Sequence, residues 1–320
     1  MRLVLPPWPC VLLPHRAWRD ETRWREKVGQ LWDGYTQRAK FRNVSVSLLK
    51  EPATGARGQR PADATPLDAI AFEAVSAPSP RRLLPGSPPE LLVHDAPSAC
   101  PYLDGQLSRL PLRLPIRSLR RGEFESKLRQ GDRRQGLLLY RTACPRCSAC
   151  EPIRLDVHRF ALRRTQRRIF NRGERELEIE IGPLEPTIEK VALYNRHKRG
   201  RGLTSGETPI DLVGYRAFLG ESCTESFEIR YRLRGRLVGV AITDRAAESL
   251  SAVYCYFDPT LQHLSIGTYS ILKQVDLCRT WGLRHLYLGL YIEECTSMAY
   301  KGRYLPHERY LDGQWVGFDR

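Results

Sequence analysis

Long apolar runs are missing from this chain of 320 residues. No stretch approaches the roughly 20 consecutive apolar residues that a membrane-spanning helix needs. The opening MRLVLPPWPC begins like a signal peptide, but its prolines break the apolar stretch and no A-x-A-like cleavage site follows. The expected location is therefore the cytoplasm, with no membrane partner. Nucleotide-phosphate chemistry lacks its signature, because there is no G-x-x-x-x-G-K-[ST] loop. A serine hydrolase is equally unsupported, since no G-x-S-x-G elbow occurs. Acidic residues are in deficit: 36 Asp and Glu face 51 Lys and Arg, for a net charge of +15. That excess favours a polyanionic partner, because Lys and Arg displace the counterions condensed on phosphates.

What is present reads as a globular protein, 42% hydrophobic and 27% charged, too long for one small core. Residues 1–96 read as an extension and Pro-rich linker. Within it, Trp24, Val28, Leu31, Trp32 and Tyr35 recur at helical spacing. From Pro52 to Pro97 the chain is rich in Pro, Ala and Gly and poorly able to bury a core. A start codon placed too far upstream would give the same appearance.

Regular structure resumes near Cys100. A helix over RRGEFESKLRQG is expected to end at Gly131, followed by strands at 136–142 and 153–157. A basic helix is expected over Arg163–Arg172 and a strand over Leu177–Ile181. The second half changes rhythm: a helix at 188–199, then strands at 227–233, 237–243 and 250–257. The middle one is apolar on both faces, as a buried central strand should be. A helix over 266–281, ended by Gly282, leads to a buried strand at 284–290. This order predicts an α/β (α+β) fold with an acyltransferase-like, GNAT-like sheet in the C-terminal half rather than a Rossmann domain. Acetyl-CoA enzymes of that class bring a glycine-rich pyrophosphate loop to the main helix. Here the entry, Gln262 to Thr268, holds one glycine, so a phosphate nest is not expected. The acyl group is expected to come from something other than CoA.

Nine cysteines, an odd number, argue against a disulfide framework in a chain without a secretion signal. Cys144, Cys147 and Cys150 form C-x2-C-x2-C, a spacing at which thiolates can converge on zinc or an iron–sulfur cluster. Cys100 is the first choice for a fourth ligand and His158 the second; three reduced cysteines in a cramped loop is the alternative. Arg163, Arg164, Arg167 and Arg168 would share one helical face, where their repulsion costs a few tenths of a kcal/mol per pair. A bound polyanion would relieve it. The cluster from His197 to Arg201 adds charge in an expected loop. Either cluster can also be an ordinary solvated surface.

In these residues the chain resembles the arginyl- and leucyl-tRNA–protein transferases of the N-degron pathway. The matching segments are Cys100-Pro101-Tyr102-Leu103, Tyr140 to Cys150 (YRTACPRCSAC) and Gln166-Arg167-Arg168. In the C-terminal half they are Leu250 to Tyr254 (LSAVY), Phe257-Asp258-Pro259, Gly267-Thr268-Tyr269, Tyr287-Leu288-Gly289, Tyr291-Ile292, Cys295, and Met298 to Pro306 (MAYKGRYLP). About two thirds of the chain is covered. Thr165 stands where the family more often has Ser, and Ser297 where it has Lys. The CPxCxAC form is similar to the bacterial, leucine-transferring branch, with arginine transfer still open.

The resemblance implies the activity: Leu or Arg moves from charged tRNA to the α-amine of a protein starting with Asp or Glu, marking it for degradation. No cofactor is required for that chemistry, although a zinc ion or iron–sulfur cluster on Cys100, Cys144, Cys147 and Cys150 is possible. It divides the chain into residues 97–183, an N-terminal transferase domain with the CxxCxxC segment, and 184–320, the GNAT-like catalytic domain. Tyr254, Asp258 and Tyr300 are expected around the reacting ester and amine, with Asp258 the proton acceptor. Lys301 or Arg303 is expected to read the acceptor carboxylate, with Tyr287 and Glu293 nearby and Arg163, Arg164, Arg167 and Arg168 on tRNA. A surface ion pair of Lys301 with Glu308 is the competing expectation. Two other functions compete as well: a CoA-dependent N-acetyltransferase and a non-catalytic zinc-containing tRNA-binding module.

Overall fold

A computed structural model describes residues 82–203 and 208–319. The helix expected around Trp24 to Tyr35, and Cys10, lie outside the described residues. All that is described belongs to one compact unit, in which the elements build two sheets.

The smaller sheet is antiparallel throughout. Its strands are β1 (Arg82–Leu84), β2 (Glu90–His94), β5 (Leu112–Pro115), β6 (Arg133–Gln135) and β7 (Leu138–Tyr140), in the order β1-β2-β5-β7-β6. A two-residue ribbon, β3 (Ser98–Ala99) with β4 (Leu107–Ser108), lies outside it. The expected linker therefore stops short of residue 97: β1 and β2 are strands, and Val93 and Glu90 are buried. Composition misled here because Pro85, Pro88 and Pro89 crowd the turn between two short strands. Helix α1 (Arg121–Arg129) follows β5 and buries Phe124 and Leu128, and Gly131 after it takes φ +86°, as expected of a helix stop.

The larger sheet has the order β15-β14-β8-β13-β12-β11-β10-β9. Its members are β8 (Glu151–Asp156), β9 (Glu178–Gly182), β10 (Ser226–Leu233), β11 (Arg236–Arg245), β12 (Ser249–Phe257), β13 (His285–Tyr291), β14 (His307–Leu311) and β15 (Gln314–Phe318). Every neighbouring pair is antiparallel except β12 and β13. The sheet draws β8 and β9 from the N-terminal side of the boundary expected at 183/184. The unit is therefore continuous across that boundary.

Successive residues of a strand face opposite ways, and β11 and β12 use both faces. Val238, Ala241 and Leu250 join Ile266, Tyr269, Leu272 and Val275 of helix α5 (Ile266–Thr280) in one core. Val240, Ile242 and Tyr256 join Val191, Leu193 and Tyr194 of helix α3 (Ile188–Gly200) in another. Thr187 caps α3 by accepting from the Lys190 amide at 3.3 Å. Helix α2 (Arg164–Glu176) packs on α5. Its Gln166 accepts from the Arg163 amide at 2.9 Å, one half of a capping box. The short helices α4 (Leu212–Tyr215) and α6 (Thr296–Ala299) complete the set. Among the described residues, no helix is long and apolar enough to cross a membrane.

Candidate active site

The parallel pair β12–β13 is where the sheet opens. The two strands pair at only three positions, Ser249 with His285, Leu250 with Leu286 and Ser251 with Tyr287. Beyond them each strand is irregular: β13 shifts register against β8 between Tyr287 and Gly289, and β12 shifts against β11 opposite Ile242/Thr243. Gly289 takes φ +88°, a conformation that glycine adopts without steric cost. An added β-carbon there would meet only Lys301 Nζ within 4 Å, at 3.8 Å. The sheet thus parts at a position with room beside its backbone.

Lys301, on the 3-10 turn after α6, reaches back into this opening. It is 7% exposed and its Nζ donates to the Leu290 carbonyl at 2.6 Å and to Met298 Sδ at 3.3 Å. No carboxylate pairs with it among the described residues. Burial, with the repulsion of Arg133 second, lowers its pKa from 10.5 to about 8. The competing surface pair does not form: Glu308 is bound to Arg154 at 2.6 Å. His285, 3.9 Å from Glu308, is pushed down to about 4 by burial and by Arg154, so it stays neutral at pH 7.

Other expected site residues are placed differently. Tyr287 is fully buried, its hydroxyl accepting from Arg154 at 3.1 Å and its ring 5.5 Å from that of Trp315. Its place in the fold is that of a support beneath the site. Asp258 is also occupied. One oxygen accepts from the Thr260 amide and hydroxyl at 3.1 and 2.6 Å; the other accepts from Arg236 at 2.9 Å and Arg196 at 3.4 Å. Burial works to raise its pKa, but these donors outweigh it and hold the carboxyl below its ordinary range. A carboxylate so held is a poor proton acceptor, and Asp258 fastens the turn after β12. Tyr254 lies in an aromatic cluster, 5.8 Å from Tyr194 and 5.6 Å from Phe218 between ring centres. Tyr300 is 40% exposed, with Lys301 Nζ 5.8 Å from its ring centre. Arg303 and Glu293 are exposed.

The four expected metal ligands are half-buried free cysteines, but they do not form a metal site here. Among the described residues no three Cys, His, Asp or Glu side chains converge closely enough to hold an ion. His158 is exposed. Cys144 Sγ instead accepts from the Arg109 amide at 3.4 Å. The thiols do share a neighbourhood: Cys150 is pushed up to about 12 by burial and then by Cys144, Cys100, Cys147 and Cys295. Tyr102 rises to about 12, first by burial and then through Tyr140, Cys150, Cys295 and Cys100. The cysteine loop therefore stands next to the opening in the sheet.

At the N-cap and along the first turns of α2, Arg163, Arg164, Arg167 and Arg168 are all exposed, with no acidic partner among the described residues. Arg168 continues into Asn171, Arg172 and Arg175, which together line an open cavity of about 390 Å³. Arg172 is partly committed, donating to the His263 carbonyl.

Residues 98–168 match the family described as arginine-tRNA-protein transferase, N terminus, and residues 189–311 match its C terminus. A protein named aspartate/glutamate leucyltransferase from Chromobacterium violaceum is 37% identical over 220 residues, covering 69% of this chain and 90% of that one. One of the same name from Gluconacetobacter diazotrophicus is 36% identical over 244 residues, covering 76% of this chain and 91% of that one. The chain belongs to the arginine-tRNA-protein transferase family. It is an aminoacyltransferase. Among solved structures, L-PGS from Bacillus licheniformis is 13% identical with a TM-score of 0.37, covering 53% of this chain and 58% of that one. FemX is 8% identical with a TM-score of 0.34, covering 52% and 59%.

Two features of the transferase escaped the sequence. Arg133 carries no signal of its own in the run Asp132-Arg133-Arg134, yet the fold buries both arginines differently. Arg134 forms a bidentate pair with Asp244, both distances 2.7 Å, while Arg133 has no carboxylate partner among the described residues. Arg172 and Arg175 fell outside the expected arginine face, although their spacing of four and seven residues from Arg168 continues it along the helix.

Proposed function

We propose that this transferase moves leucine from leucyl-tRNA onto the α-amine of proteins or peptides that begin with Asp or Glu. The observation that carries the reading is Lys301: a buried ammonium without a carboxylate partner among the described residues, beside the open Cα of Gly289, where the sheet parts. The names of the relatives support leucine as donor and acidic residues as acceptors.

In the reaction the acceptor nitrogen bonds to the ester carbonyl carbon and the ester C–O bond breaks. The amine loses one proton, and the departing ribose oxygen takes one. An α-amine has a pKa of about 7.7–8.0, so a neutral fraction exists at pH 7 without a strong base. Holding amine and ester together then supplies most of the rate. Arg163, Arg164, Arg167 and Arg168, continued by Arg172 and Arg175, form the surface that takes tRNA phosphates. Lys301 binds the acceptor's carboxylate, with Tyr300 at the rim of the site and the exposed Arg303 and Glu293 nearby in sequence.

The test incubates the protein with leucyl-tRNA or arginyl-tRNA and a Glu-initiated peptide. Transfer of leucine is expected. Transfer of arginine alone would correct the donor, and no transfer from either by folded protein would remove the proposal. Acetyl transfer from acetyl-CoA would replace it.

A further inference from the structure

Lys301 is not alone in the opening. Arg133 of β6 is 4% exposed and comes from the other sheet. One terminal nitrogen donates to the Asp132 carbonyl at 2.9 Å and the other to the Gly289 carbonyl, also at 2.9 Å. Its Nε is buried and has no partner among the described residues. Its chain neighbour Asp132 gives its carboxylate to Arg113 and Arg141, and no carboxylate lies within ion-pair distance of Arg133 among the described residues.

A guanidinium cannot shed its charge in a protein. A buried cation is costly unless paired, and a buried donor without a partner calls for an explanation. The ring of Tyr287, 5.4 Å from the Arg133 guanidinium carbon, offers some compensation, but it leaves Nε unpaired. Lys301 poses the same problem one residue along, since its ammonium sits on the Leu290 carbonyl while Arg133 sits on that of Gly289. Two buried cations thus bracket consecutive carbonyls. Gly289, whose carbonyl holds Arg133, has no side chain, and the space this leaves is faced by Lys301 Nζ at 3.8 Å.

We infer that Arg133 and Lys301 form a two-cation pocket beside Gly289 that takes the side-chain carboxylate of the acceptor's first residue, Arg133 being the second specificity-determining residue. The inference rests on the acceptor reading proposed above. A carboxylate is the group that answers both deficits: it accepts from Nε of one cation and Nζ of the other and offsets two like charges at once. The uncharged amide of a Gln-initiated acceptor cannot offset them.

The experiment compares kcat/KM for Glu- and Gln-initiated peptides in wild type, Arg133→Gln and Arg133→Lys, with thermal melts to show that each variant is folded. Loss of a charge-assisted hydrogen bond predicts that the Glu-to-Gln selectivity ratio drops about tenfold to a hundredfold in Arg133→Gln. The loss should lie mainly in KM for the Glu peptide, with partial recovery in Arg133→Lys. An unchanged ratio, or equal losses on both peptides, would overturn the inference and leave Arg133 a structural residue. A raised KM for leucyl-tRNA with an intact ratio would also overturn it, by giving the pocket to a tRNA phosphate. Direct binding of the two peptides without tRNA separates this from the transferase reading. If wild type transfers nothing, preferential binding of the Glu peptide that Arg133→Gln abolishes still supports the pocket, and equal binding of both peptides removes it.

Discussion

Gly173 of α2 lies against the ring of Tyr269 in α5, so close that a β-carbon on residue 173 would fall 2.2 Å from two ring atoms. The Tyr269 hydroxyl donates to Glu174 at 2.6 Å, so the same ring spaces and fastens the two helices. Replacing Gly173 with Ala gains about 1 kcal/mol of helix propensity. It also forces a carbon into occupied space, which costs about 1–3 kcal/mol. At this separation the clash wins. Gly173→Ala should lower the denaturant midpoint and, by pushing α2 outward, weaken tRNA binding. A midpoint equal to or above wild type would show that α2 shifts freely.

The arginines of α2 predict a salt dependence. Replacing Arg167 and Arg168 with Ala should weaken binding of any tRNA, whatever its sequence. Each arginine–phosphate pair removed should lower the slope of log affinity against log salt by roughly 0.7–0.9. Titrations across salt concentrations measure this directly, and an unchanged slope would make these residues ordinary surface charge.

Lys301 predicts a pH dependence of acceptor choice. Arg133, Cys150 and Cys295 act on it, and burial leads the shift to about 8. Its ammonium is charged below that pH and neutral above it. The preference for Glu- over Gln-initiated peptides should be full below pH 7 and decline as pH rises through about 8. The α-amine titrates in the same range, but it is common to both peptides and cancels in the ratio. Lys301→Met should have a small, pH-independent ratio. For stability the sign is the reverse: the unfolded chain binds more protons between about 8 and 10.4, so Lys301 favours folding as pH rises through that window.

Asp258 predicts a loss of stability rather than of chemistry. Asp258→Asn weakens the pair of bonds from Thr260, at about 0.5–1.5 kcal/mol for each hydrogen bond. The contacts with Arg236 and Arg196, both about half exposed, add little. The wild-type carboxyl titrates below its ordinary value, so its contribution is present at neutral pH and fades as pH falls through the folded pKa. Denaturation at pH 7 and at acid pH should show the variant's deficit shrinking in acid. A hundredfold drop in kcat without loss of stability would return Asp258 to the reacting atoms.

Local pattern determined most of the second half of this protein by itself. β10, β11, β12, α5 and β13 stand where side-chain periodicity placed them, because each buries a face whose spacing is written into consecutive residues. The hairpin β14–β15 and the strands β1 and β2 were not legible. Runs of only three to five residues are too short to show a period, and they become strands by pairing with partners already in place. The family was legible for a different reason, in ordered short motifs spread over both halves of the chain. The division of labour among site residues was decided by tertiary structure alone. Whether a cation is paired depends on partners far off in sequence: Arg134 finds Asp244, Arg154 finds Glu308, and Arg133 and Lys301 find no carboxylate among the described residues. Tyr287 looked like a substrate contact and became a buried support because β13 is central in its sheet. Composition could place positive charge in this chain, but only the folding of two sheets against each other could leave two of those charges buried without an anion among the described residues.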